Sequence, residues 1–200
     1  MGWIDKFTGK GSKLFDRLKY TEDFRLETET DEKGKTRKKA VYIGTWFVIR
    51  DYGTADRLRM AGSLLAAAAV MIIQFSMLIL RHAGSGSLLV VLPLAAALFP
   101  GMYLLMGAAS LPYRGKPMRR DQYFHGMIRM SRSAVAILAF NTVAALAALI
   151  YRIVKNDWLF LKGDWTFLIL FGISVVLCAG VIWILRGIDI TEKPNGSYTE

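Results

Sequence analysis

Four stretches of this chain, residues 61–80, 88–111, 133–151 and 166–185, contain no Asp, Glu, Lys or Arg. Each is long enough to cross a hydrocarbon layer of about 30 Å as a helix. Inside a bilayer every backbone N–H and C=O must be bonded within the protein, which leaves helices as the economical way to span it. A hydrophobic content of 54% and a mean hydropathy of +0.33 would also suit a large soluble core. A soluble core, however, interleaves apolar with polar residues at the helix or strand period, and here the apolar residues come in blocks. The expected fold class is an all-α membrane protein of four transmembrane helices, paired as two hairpins.

Charge then orients the spans. Lys and Arg number 14 in residues 1–60, 6 in 111–133 and 2 in 186–200, against 1 in 81–87 and 3 in 152–165. This 22-to-4 bias places both termini and the middle loop in the cytoplasm of a multi-pass cell-membrane protein. No apolar stretch of export-signal length precedes the first span, which agrees with a cytoplasmic N-terminus. The net charge of +10 finds its natural partner in an anionic inner leaflet. Nucleic acid is not expected, since no reading motif accompanies the basic residues. The one cysteine, Cys178, falls inside the fourth span, so no intrachain disulfide forms.

Five segments follow from this division. Residues 1–60 form a cytoplasmic region. Within it, Trp3, Ile4, Phe7, Leu14, Phe15 and Leu18 recur at helical spacing among lysines, the pattern of a basic amphipathic helix lying on a membrane or on the rest of the cytoplasmic region. The stretch FRLETETDEKGKTRKKAVY that follows reads as a β-hairpin turning at Glu32-Lys33-Gly34. Asp31 then faces Lys35, Glu29 faces Arg37 and Glu27 faces Lys39, three opposite-charge pairs that support one register. The second strand runs on through Val41, Ile43, Phe47 and Ile49, beyond the reach of the first, and is expected to leave an edge for something to cover. Residues 61–111 and 133–187 are the two membrane hairpins, 112–132 a basic amphipathic loop, and 188–200 a polar tail expected to be loose.

The stretches RDYGTADRLRMAGS and RDQYFHGMIRMSRS, seventy residues apart, match at Arg50/Arg120, Asp51/Asp121, Arg59/Arg129, Met60/Met130 and Ser63/Ser133. Both approach a membrane hairpin from the same side, as a parallel 2+2 repeat would. Chance similarity explains so short a match as well. On a structural reading, Arg59 and Arg129 hold their guanidinium groups at headgroup level with their stems on apolar surface. Asp51 and Asp121 then support the N-terminal ends of helices. A shared catalytic site would instead require all four side chains to converge.

Other chemistry is sparse. His82 and His125 fall on opposite sides of the membrane, and no metal-binding, thiol or phosphate-loop motif appears, so neither metal nor cofactor is expected. Within the spans the polar residues of interest are Gln74, Asn141 and Thr142. Under the seventy-residue offset Gln74 corresponds to Ala144, one turn beyond Asn141, so the two amides share a face of equivalent helices. They are expected to serve as interhelical glue, or alternatively to contact a substrate. The reading that fits most of these features is a non-catalytic subunit or scaffold of a larger membrane complex, with other membrane proteins or further copies of itself as partners. A small transporter or channel is the second reading. An enzyme acting on lipid headgroups is the third, resting on the cytoplasmic residues Arg119, Arg120, Asp121 and His125.

Overall fold

The computed structural model describes residues 23–30, 36–82, 84–155 and 162–194. The basic helix expected over 3–18, the turn at 32–34 with its Asp31/Lys35 pair, and residues 195–200 lie outside the described residues. Four long helices carry the fold: α1 (Thr54–Ile79), α2 (Leu88–Ala109), α3 (Arg129–Lys155) and α4 (Lys162–Arg186). All four are long and apolar enough to cross a membrane. A single helical turn at Arg120–Tyr123 and a π-helical turn at Phe124–Ile128 run directly into α3. The segment before α3 is thus continuous with the span, and the residues just before the first apolar run, from Thr54, already belong to α1.

Each helix buries one stripe. In α1 it is Met60, Ser63, Ala67, Val70, Ile73, Gln74 and Met77, steps of three and four that keep to one face. In α2, Val90, Leu94, Ala97, Gly101, Leu104 and Ala108 do the same. The opposite faces stay apolar yet open: Ile79 is 78% exposed and Trp183 76%. Such surface would oppose solubility in water, at about 25 cal/mol per Å² of apolar area, but it meets its own kind in hydrocarbon.

The helices close a ring in which α1 packs on α2, α2 on α3, α3 on α4 and α4 on α1. The most extensive of these seams joins α2 to α3, so the packing does not single out the two hairpins as separate units. Small residues make that seam close. A Cβ placed on Gly107 of α2 would lie 2.5 Å from Met130 Cγ and 3.0 Å from the Gly126 carbonyl oxygen, so the π-helical turn and the start of α3 rest directly on the α2 backbone. Pro93 and Pro100 both lie within α2, which continues unbroken past them. In this ring order α1 stands across from α3 and α2 across from α4, the placement a parallel repeat would have. At the seventy-residue offset the buried positions Met60, Ser63, Ala67 and Gln74 fall on the buried Met130, Ser133, Ile137 and Ala144.

At one end of the bundle sit four strands. β1 (Phe24–Thr30) and β2 (Thr36–Tyr42) form an antiparallel hairpin in which Glu29 pairs with Arg37 and Glu27 with Lys39, the register expected from charge. The long second strand expected to continue to Ile49 is interrupted at 43–45. Its continuation, β3 (Trp46–Ile49), pairs with β4 (Ile190–Lys193) from the C-terminal segment. On the other side of β3, Phe47 exchanges two backbone hydrogen bonds of 2.8 Å with Met118. Two expectations change here. The edge of β3 is covered by the chain itself, and residues 190–193 of the tail are a strand. The reason is that Phe47 and Ile49 are buried, and only a tertiary contact can bury them. This pairing also places the N-terminal and C-terminal segments at the same end of the bundle.

Candidate functional site

The interior of the bundle divides into two apolar clusters. One, toward the sheet, contains Met60, Val70, Leu104, Ile137, Cys178 and Val181; the other, toward the far end, contains Ile73, Met77, Val90, Leu94, Ala144 and Phe167. Between them lies a polar node of three side chains from three helices. Gln74 Nε2 of α1 donates to Ser174 Oγ of α4 at 3.3 Å, and Asn141 Nδ2 of α3 donates to the same oxygen at 3.1 Å. All three residues are 0% exposed. The carbonyl oxygens Gln74 Oε1 and Asn141 Oδ1 are buried without a hydrogen-bond partner. In hydrocarbon an amide group left in that state costs a few kcal/mol, so this is a demanding point of the core.

The two amides expected to meet across a helix interface do share a node, though Ser174 bridges them. Ser174 was missed from the sequence because a lone serine in an apolar span is common; only its position one helix away from two amides marks it. Thr142 takes no part. Its hydroxyl donates to the Leu138 carbonyl at 2.8 Å on its own helix, on an exposed face.

The two matched arginines sit at separate places. Arg59 Nη1 donates to the Gly187 carbonyl at 2.9 Å and approaches Asp56 at 3.2 Å, so it caps the C-terminal end of α4. Arg129 lies over the Tyr103 ring with its guanidinium carbon 4.4 Å from the centroid. Both contacts are internal to the chain and go beyond a headgroup role. The N-terminal support expected of Asp51 falls to Asp56, whose Oδ2 accepts from Gly53 N–H at 3.2 Å, while Asp51 itself adopts a left-handed backbone with φ of 51° ahead of the helix. Asp121 does occupy a first helical turn, that of Arg120–Tyr123.

The four residues of the enzyme reading take different roles. Arg119 lies 5.6–6.0 Å from the centroids of three rings, Phe24, Tyr42 and Trp46, which themselves meet edge to face. Arg120 N–H donates to the Tyr42 hydroxyl at 3.0 Å, and its side chain stands 3.9 Å from Asp23. Burial raises the Tyr42 phenol above its ordinary pKa, opposed by the Arg120 N–H and reinforced by the charges of Asp23 and Asp121. These contacts anchor the β-hairpin to the bundle. A cavity of about 660 Å³ lies beside them, lined by Arg120, Tyr123, Phe124, Met127, Ile128 and Ser131 on the approach to and first turn of α3; neither Asp121 nor His125 lines it. Its other walls are Thr45 and Phe47 of the sheet and the segment from Ile182 to Glu192. Phe47 stacks on Tyr123 at 4.3 Å with the rings nearly parallel.

The far end holds a buried ion pair, Arg152 of α3 with Asp164 of α4, beside His82. His82 stacks on Phe167 at 4.5 Å, and its Nδ1 accepts from Gly84 N–H at 3.2 Å, which requires the unprotonated nitrogen. Burial lowers its pKa; Asp164 opposes the shift and Arg152 adds to it. Among the described residues no group of three or more His, Cys, Asp or Glu side chains is placed to hold a metal. Comparison of the chain with protein-family models, curated proteins and solved structures finds no match.

Proposed function

We propose that this chain is an integral membrane protein of the cell membrane, both termini cytoplasmic, acting as a non-catalytic subunit or scaffold of a larger membrane complex. The observation that carries the reading is the polar node: Gln74 and Asn141 are 0% exposed and joined through Ser174 between two apolar clusters, which is how an interior serves packing. A pathway would place such groups on a cavity, and the 660 Å³ cavity is lined by other residues. The docking element is the β1–β2 hairpin. A two-stranded ribbon is marginal in water, and among the described residues no third strand pairs with it, so a partner protein or second copy lying along its edge supplies what it lacks. Anionic lipid on the cytoplasmic side complements the net charge of +10.

Photo-crosslinking residues placed at Thr28 and Lys38 test this in native membranes. The subunit reading expects a discrete adduct of constant mass from both positions. Absence of any protein adduct, together with ion flux through liposomes containing the purified chain, would put the transporter reading first. That second reading draws on one feature, the unpartnered amide oxygens of Gln74 and Asn141.

A further inference from the structure

The cavity at the sheet end is unusual in what it brings together. On its α3 side the wall includes Phe124, Met127 and Ile128 of the π-helical turn Phe124–Ile128, a distortion found frequently at functional sites. Its volume of about 660 Å³ lies in the range of ligand sites. One part of the wall is apolar, with Met127 and Ile128 facing Ile182 and Leu185 across the ends of α3 and α4. Another part is charged, with Arg120, Arg186, Asp189 and Glu192 in its lining. Asp189 already has a partner in Arg50 at 3.3 Å, which leaves Glu192 as the acid that balances the pocket. Arg120 carries five donors, and Asp23 at 3.9 Å occupies one of them at most. The level is that of a membrane interface, because Trp183, one turn before the end of α4, is exposed beside the lipid-facing surface.

We infer that this cavity binds one phospholipid molecule with an ethanolamine headgroup, its phosphate held by Arg120 and Arg186, its ammonium by Glu192, and the start of an acyl chain laid between Ile128 and Ile182. A guanidinium fork matches phosphate oxygens in a way that a lysine does not. An anionic headgroup without an amine would leave Glu192 facing negative charge, whereas a zwitterionic one meets both signs. Of the zwitterionic headgroups, ethanolamine has a primary ammonium whose N–H groups donate to the Glu192 carboxylate, while the quaternary ammonium of choline has no N–H to give. The apolar wall distinguishes a lipid from a soluble phosphate ester, which has nothing to place there. The inference does not depend on the subunit reading.

Native mass spectrometry of the full chain, released from mild detergent and titrated with defined lipids, tests it. Dioleoyl phosphatidylethanolamine should give a single tight adduct, ahead of phosphatidylglycerol and phosphatidylcholine, with soluble glycerophosphoethanolamine binding far more weakly. Arg120→Gln and Arg186→Gln should each weaken the adduct by about tenfold or more, the scale of one charged hydrogen bond. Glu192→Gln should remove the preference for ethanolamine while leaving phosphate-dependent binding. The wild-type lipid series stands even if a variant fails to fold, and circular dichroism identifies that case. Equal binding of all three lipids, a stronger response to the soluble ester, or unchanged affinity in both well-folded arginine variants would overturn the assignment.

Discussion

At the scale of single residues, the node of Gln74, Asn141 and Ser174 shows why position outweighs polarity. Ser174 accepts from both amides, so Ser174→Ala strips a partner from each and leaves two buried amide groups wholly unbonded. Asn141→Leu removes one interhelical bond, of average value about 0.6 kcal/mol in membranes, and with it one unpartnered oxygen. The smaller change in volume should therefore be the more damaging: Ser174→Ala destabilises by about 1–3 kcal/mol, and Asn141→Leu by less than about 1 kcal/mol. Unfolding in mixed detergent micelles, followed by circular dichroism, measures both, and the reverse ranking would mean that the amides, not the serine, hold the node together. The arginines make the same point. Arg59 and Arg129 look alike in sequence, each one residue before a buried methionine, yet one caps α4 and the other covers a tyrosine ring. What they share is the phase of the helix that follows them, since Met60 and Met130 are both fully buried.

Among elements, the seam between α2 and α3 depends on a glycine that the sequence reading passed over. Ala97 and Gly101 are also small and buried, but Gly107 is where the α2 backbone meets the π-helical turn and Met130. Gly107→Val puts branched carbon into space already filled by Met130 Cγ and the Gly126 carbonyl, and overpacking of this kind costs about 1–3 kcal/mol. A drop in thermal stability in detergent of that order is expected, with Gly62→Val, whose added Cβ meets nothing within 4 Å, as the tolerated control. Equal tolerance of both would show that the seam is looser than drawn. The β-hairpin was readable because its evidence is local: opposite charges on adjoining strands select the same register that the backbone pairing has. The pairing of β3 with β4 was not, since about 140 residues separate the strands and neither carries a signal naming the other.

For the molecule as a whole, orientation is the first thing to measure. The 22-to-4 charge count predicts that a cysteine at Ser85 reacts with an impermeant thiol reagent outside intact cells and that one at Lys116 does not. Both positions are exposed at opposite ends of the bundle, so reactivity reports sidedness rather than burial; labelling at 116 alone would invert the assignment. The four spans, their approximate limits and the charge-paired hairpin were decided by sequence alone, because hydrocarbon sets a length, forbids charge and forces backbone bonds to be local, and because neighbouring strands meet through near residues. The ring order of the helices, the serine that joins two amides, the capture of β3 by the C-terminal strand and the cavity beside the π-helical turn were decided by tertiary structure. Each depends on which apolar face meets which. Where every face of a span is apolar, the pattern of hydrophobicity along the chain carries no direction, and close contact between small residues and buried polar groups makes the choice.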